Sequence, residues 1–139
     1  MSATIQNPWD FELSEGLSGL IPLTNPQDFA EIVIGGNTKY SPQDIEALKG
    51  DTLSFTSGKD RVIFVWNENG LVLNSNWATQ PASSYFYISD VIAAGTNASG
   101  FKKYALTGTF QCLTTSSNLS NTQALNQGKF AILVVETTP

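Results

Sequence analysis

Arg61-Val62-Ile63-Phe64-Val65-Trp66-Asn67-Glu68-Asn69-Gly70-Leu71-Val72-Leu73 is the stretch that decides the fold. Val62 to Trp66 is apolar at odd and even positions alike, which predicts a central strand covered on both faces. Asn69-Gly70 then forces a two-residue reversal. Both positions of a tight hairpin turn need positive φ, and asparagine and glycine reach it at least cost. The reversal aligns Trp66 with Leu73 and, carried further, Val62 with Trp77.

Downstream of this hairpin the period stays at two. Residues 78–83 form a loop around Pro81, and Ser84–Ile88 with Val91–Ala94 form the next strand region. Gly95–Gly100 is a turn, and Tyr104–Leu113 alternates: Tyr104, Leu106, Phe110 and Cys112 on one face, Thr107, Thr109 and Gln111 on the other. Thr114–Gln127 reads as a long Ser/Thr/Asn loop, with a short strand near Ala124-Leu125. Phe130–Val135 is the last strand, apolar on both faces.

Upstream, Leu53 and Phe55 alternate with Thr52, Ser54 and Thr56. Ser41-Pro42-Gln43-Asp44 is a helix start, with Ser41 as N-cap and Pro42 in the first turn. Ile45 and Leu48 share the apolar face, and Gly50 is the stop. Asn25-Pro26-Gln27-Asp28 carries a second, weaker start signal before a short strand at Ile32-Val33-Ile34. Residues 1–24 read as an irregular arm. Trp9, Phe11, Leu13, Leu17 and Leu20 make it too apolar to be free, so it packs on its own domain or on a neighbour. Residues 25–139 are then one all-β domain: an antiparallel β-sandwich, Greek-key or jelly-roll-like, of about seven or eight strands. One or two short helices connect them.

Composition narrows the chemistry. Across 139 residues, 41% are hydrophobic and only 14% charged, where about 25% is usual. There is no histidine, which removes the commonest general base and every Ser-His-Asp or Cys-His arrangement. One cysteine, Cys112, forms no internal disulfide and reads as a small buried strand residue. Zinc ligation by three or four Cys or His side chains is excluded, and no cofactor or metal is expected. With seven Lys+Arg and a net charge of −5, the chain lacks the basic footprint of a nucleic-acid binder. Its longest apolar run, Phe130 to Val135, is far short of the ~20 residues that span a membrane as a helix. The first residues lack a charged and then apolar signal-peptide pattern.

Charge is unevenly placed. Ten of the twelve acids precede residue 70. The second half carries only Asp90, Glu136, Lys102, Lys103 and Lys129. Its polar positions are Ser, Thr, Asn and Gln, a surface that suits packing on other chains or hydrogen bonding to neutral ligands.

Four local patterns invite a functional reading and fail it. Gly95 to Gly100 lacks the Gly-Lys-Ser/Thr ending and following helix of a phosphate loop. Ser99-Gly100-Phe101-Lys102 lacks the partner motifs of penicillin-recognising enzymes. Asn67-Glu68-Asn69-Gly70 has calcium-ligand residue types without calcium-loop spacing. Asn97-Ala98-Ser99 and Asn118-Leu119-Ser120 are glycosylation sequons of the kind that chance supplies in so Ser/Asn-rich a chain.

Gly108-Thr109-Phe110, a polar loop and Gly128-Lys129-Phe130 close the sequence. This pattern resembles the final hairpin of small β-sandwich domains of unknown function on Bacteroidetes surface lipoproteins. The resemblance implies a sandwich and a non-enzymatic surface role.

The expected function is therefore structural: a non-catalytic β-sandwich subunit of a surface assembly, such as a virion decoration or fibre protein, with protein partners or self-assembly. The setting expected is a virion or extracellular surface. The alternative is a module binding a neutral glycan or a protein, with Trp77, Tyr85, Tyr87, Asn74 and Asn76 as the contact residues. A small hydrolase using a carboxylate pair is the third reading, but no grouped carboxylates point to it.

Overall fold

Asn69 and Gly70 adopt φ of 52° and 81°, so the decisive reversal is a tight hairpin turn with both central residues left-handed. The computed structural model describes residues 2–5, 11–12, 29–36 and 38–137. Their strands in chain order are β1 (Ser2–Ile5), β2 (Phe11–Glu12), β3 (Phe29–Ile34), β4 (Thr52–Leu53), β5 (Val62–Glu68), β6 (Leu71–Asn74), β7 (Tyr85–Thr96), β8 (Lys102–Thr115) and β9 (Thr122–Val135). A short helix, α1 (Pro42–Glu46), and a 3-10 turn at Ser75–Trp77 are the helical pieces among the described residues. Every pairing is antiparallel.

The strands form two layers. They belong to one hydrogen-bonded sheet, β1-β3-β5-β6-β8-β7-β4 with β9 on β8 and β2 on β9, which folds over so that β1-β3-β5-β6 lies against β4, β7, β8, β9 and β2. A single pairing, Asn74 with Thr115, ties β6 to the far end of β8 and joins the layers. The core lies between them. Ala30, Ile32, Ile34, Val62, Phe64, Trp66 and Leu73 face inward from the first layer. Phe86, Ile88, Leu106, Phe110, Cys112, Leu125, Phe130, Ile132 and Val134 face them from the second. The Phe64 and Phe110 rings meet across the interior with centroids 5.4 Å apart. Phe86 stacks on Phe130 at 4.3 Å.

Trp66 pairs with Leu73 as the sequence predicts, but the ladder ends at Val65 and Asn74. Val62 pairs instead with Ile34 of β3, and Trp77 leaves the sheet in the 3-10 turn. The strands read as apolar on both faces are one-sided. Val62, Phe64 and Trp66 are buried while Ile63 and Val65 are half-buried. In β9, Phe130, Ile132 and Val134 are buried but Leu133 is 58% exposed.

The long loop predicted at 114–127 is mostly strand. β8 runs on to Thr115, β9 begins at Thr122, and only residues 116–121 turn the chain. Threonine suits strands, so its abundance here marked β structure rather than loop. Two stretches of the amino-terminal arm are strands, with β1 on β3 and β2 on β9. Phe11 lies in β2. Trp9, Leu13, Leu17, Leu20 and the helix signal at 25–28 lie outside the described residues.

The helix forms as its residues dictate. The Ser41 side chain accepts from the Asp44 backbone N–H at 3.2 Å, and Asp44 accepts from the Ser41 N–H at 2.9 Å. Hydrogen bonding to Ser41, its backbone N–H first and then its side chain, holds the Asp44 carboxyl below the usual carboxylate range. Ile45 and Leu48 are buried against the sandwich.

Candidate functional site

The exposed large apolar side chains among the described residues fall at two places. Leu71, Trp77 and Leu119 lie at one end of the sandwich. Tyr87, Ile92 and Leu133 lie on the outer face of the β7-β8-β9 sheet.

The end site is a shallow cleft of about 360 Å³, lined by Gly70, Leu71, Val72, Trp77, Ser116, Ser117, Asn118 and Asn121. The Asn69-Gly70 turn delivers one wall. The 3-10 turn delivers Trp77, and that turn is fixed from both sides. Asn74 Oδ1 accepts from the Asn76 N–H at 2.8 Å, which caps it. The buried Ser75 hydroxyl accepts the Phe64 N–H at 2.9 Å. Behind it, Gln80 donates to the Ser75 and Leu113 carbonyls at 2.7 and 2.8 Å and accepts from the Leu113 N–H at 2.9 Å. One side-chain amide thus completes the β8 ladder at Leu113.

The opposite wall is the 116–121 loop, held by its own bonds. Asn118 Oδ1 accepts from the Ser116 hydroxyl at 2.7 Å and from the Ser120 N–H at 3.1 Å. The Ser116 N–H reaches the Asn121 carbonyl at 3.0 Å. Leu119, at φ 61° and 65% exposed, sits at its tip. Among the described residues, no charged side chain lines the cleft.

The second surface is a sheet face. Residues paired directly across neighbouring strands share a face. Ile92, Ala105 and Leu133 therefore form one row across the three long strands, with Asp90, Thr107 and Ala131 beside it. Tyr87, Thr109 and Lys129 follow, then Tyr85 with Gln111. Ile92 is 54% exposed and Leu133 58%. The charged members are Asp90, Lys103 and Lys129, and Lys49 sits 3.4 Å from Asp90.

The five residues singled out from sequence are not one site. Trp77 lines the cleft, whereas Tyr85 and Tyr87 stand on the outer sheet face. The Asn74 amide oxygen is committed to capping, and Asn76 is exposed but outside the cleft lining. Leu71, Ser117, Asn118 and Asn121 escaped the sequence reading. Their one signal was the Ser/Asn density of the turn, which says nothing of what it faces.

The Cys112 thiol and the Tyr40 and Tyr104 phenols are held in their neutral forms. Burial pushes the Cys112 thiol up to about 12, so it carries almost no thiolate near neutrality. Burial, then the hydrogen bond to Asp60, raises the Tyr40 phenol. Burial and the nearby Glu46 charge raise Tyr104, whose hydroxyl donates to Glu46 at 3.2 Å. Glu136 is buried, with Oε1 accepting from the Lys102 N–H at 2.8 Å and Oε2 without a partner. Among the described residues, no three His, Cys, Asp or Glu side chains gather in reach of one metal ion, and no helix is long and apolar enough to cross a membrane. Comparison with known protein families, curated proteins and solved structures finds no match to this chain.

Proposed function

We propose that this protein is a non-catalytic β-sandwich subunit of an assembly built from copies of itself, packing through the outer face of its β7-β8-β9 sheet. The observation that carries the reading is the Ile92-Ala105-Leu133 row. An apolar row held open to water across three strands costs hydration free energy that a neighbour removes. Charge supports a like partner. The chain carries −5 overall, yet this face holds Asp90 against Lys103 and Lys129, so two copies meet there without the repulsion of their acidic halves. The masked thiol chemistry of Cys112 agrees with a structural role.

Cysteine cross-linking tests it. Because Cys112 is buried and protonated, Leu133→Cys supplies the reactive thiol of the folded protein. Mild oxidation of dilute Leu133→Cys yields a linked dimer much faster than Ser57→Cys, which is exposed in the β4–β5 turn. Equal rates for the two variants would contradict the interface.

A further inference from the structure

The cleft at the end of the sandwich has no part in that assembly, and we infer that it is a binding site for a neutral saccharide. Its volume of about 360 Å³ lies within the ~300–1,000 Å³ of small-ligand sites. The walls are of two kinds. Trp77 is 40% exposed, with Leu71 at 43% beside it, and an indole face takes the apolar C–H face of a sugar ring. The other wall is polar and uncharged: Ser117, Asn118 and Asn121. Sugar hydroxyls both donate and accept, and an amide matches both roles without the desolvation cost of an ion.

These polar groups are positioned before any ligand arrives. The Asn118 Oδ1 is occupied by the Ser116 and Ser120 hydroxyls, at 2.7 and 2.6 Å, and by the Ser120 N–H. Its Nδ2 has no partner among the described residues, so the bonds that fix the side chain leave its donor in place. Asn121 likewise has an unengaged Oδ1, while its Nδ2 makes only a long 3.5 Å contact to Ser120. Binding therefore orders few side chains, which removes one of the usual costs of association. An anionic or cationic ligand would find no counter-charge among the described residues of this lining, which favours an uncharged, hydroxyl-bearing ligand.

The test is a titration of the ¹⁵N-labelled protein with maltose, cellobiose, lactose and N,N′-diacetylchitobiose, read by amide and indole chemical shifts. At least one sugar shifts Ser116 to Asn121 and the Trp77 indole in a saturable way. Trp77→Ala then weakens that binding about tenfold or more. Asn118→Asp keeps the loop's acceptor oxygen and removes the two donors. It weakens binding while leaving the loop's own amide shifts in place, so it separates lost recognition from lost folding. Leu133→Glu binds the sugar like the parent, which keeps this result independent of the assembly. Absence of saturable shifts from all four sugars overturns the inference. So does binding that survives Trp77→Ala, or shifts at the cleft produced by a peptide and by none of the sugars.

Discussion

Gly108 and Gly128 show how single residues hold this sandwich. The two Gly-x-Phe segments pair antiparallel, so Gly108 faces Phe130 and Phe110 faces Gly128. Each ring covers the other strand's glycine, as aromatic side chains do for glycines in sheets. A Cβ at Gly108 would lie 1.8 Å from the Tyr87 carbonyl oxygen and 2.8 Å from Phe130 Cζ. Backbone and a stacked ring cannot both give way, so Gly108→Ala costs about 3 kcal/mol or more in urea denaturation. Tyr40 sets an alkaline limit. Its phenol, raised first by burial and then by Asp60, keeps its proton above the ~10 at which an unfolded tyrosine loses it. The unfolded state then binds fewer protons than the folded one, so the phenol's contribution to stability is level below about pH 10 and falls above it. Tyr104 acts in the same direction over the same range, and Cys112 does so from about pH 9 upward. Denaturation midpoints from about pH 8 to about pH 11 check this, and Tyr40→Phe makes the alkaline slope shallower by about one proton.

At the scale of elements, the end of β7 and the end of β6 leave a gap along β8 that neither strand fills. Gln80 fills it with a side chain, meeting both the N–H and the carbonyl of Leu113. Gln80→Ala leaves both Leu113 groups unpaired and the Ser75 carbonyl with only the 3.3 Å bond from the Ala78 N–H, and costs about 2–3 kcal/mol by chemical denaturation. Gln111→Ala, which loses one exposed bond to the Ser83 carbonyl, costs under about 1 kcal/mol. The local signals in the sequence carried far here. Asn69-Gly70 placed the turn and the Trp66–Leu73 register, and Ser41-Pro42 with Asp44 placed the capped helix. Alternation placed Tyr104, Leu106, Phe110 and Cys112 on the buried face. What alternation could not show was which apolar positions lack a second layer. Leu133 and Ile63 look alike to Phe130 and Phe64 in hydrophobicity, and only the layer stacking sorts them. Thr114, Thr115 and Thr122 read as loop for a different reason. Threonine serves loops and strands alike, and the partner strand that decides between them lies across the turn.

For the whole molecule, the division of surfaces matters more than any one site. The sequence pointed to a neutral surface of Ser, Thr, Asn and Gln in the second half, and that was legible from composition. Where the candidate contact residues gather was not. Trp77 and Tyr85 are eight positions apart and stand on different surfaces, because a strand register and a layer crossing lie between them. The cleft joins residues 70–77 to 116–121, a juxtaposition set by the pairing of Asn74 with Thr115. The outer face joins 92, 105 and 133 through two hairpins. The account gives the face to other copies of the chain and the cleft to a small neutral ligand. Its central claim is the first, and the most direct test is solution mass by light scattering across a dilution series, for the parent and Leu133→Glu. The account predicts a mass that is a multiple of 15.0 kDa for the parent. It predicts the single-chain mass for Leu133→Glu with an unchanged far-ultraviolet circular dichroism spectrum. A parent protein at 15.0 kDa at every concentration, or a Leu133→Glu variant that assembles as the parent does, would contradict it.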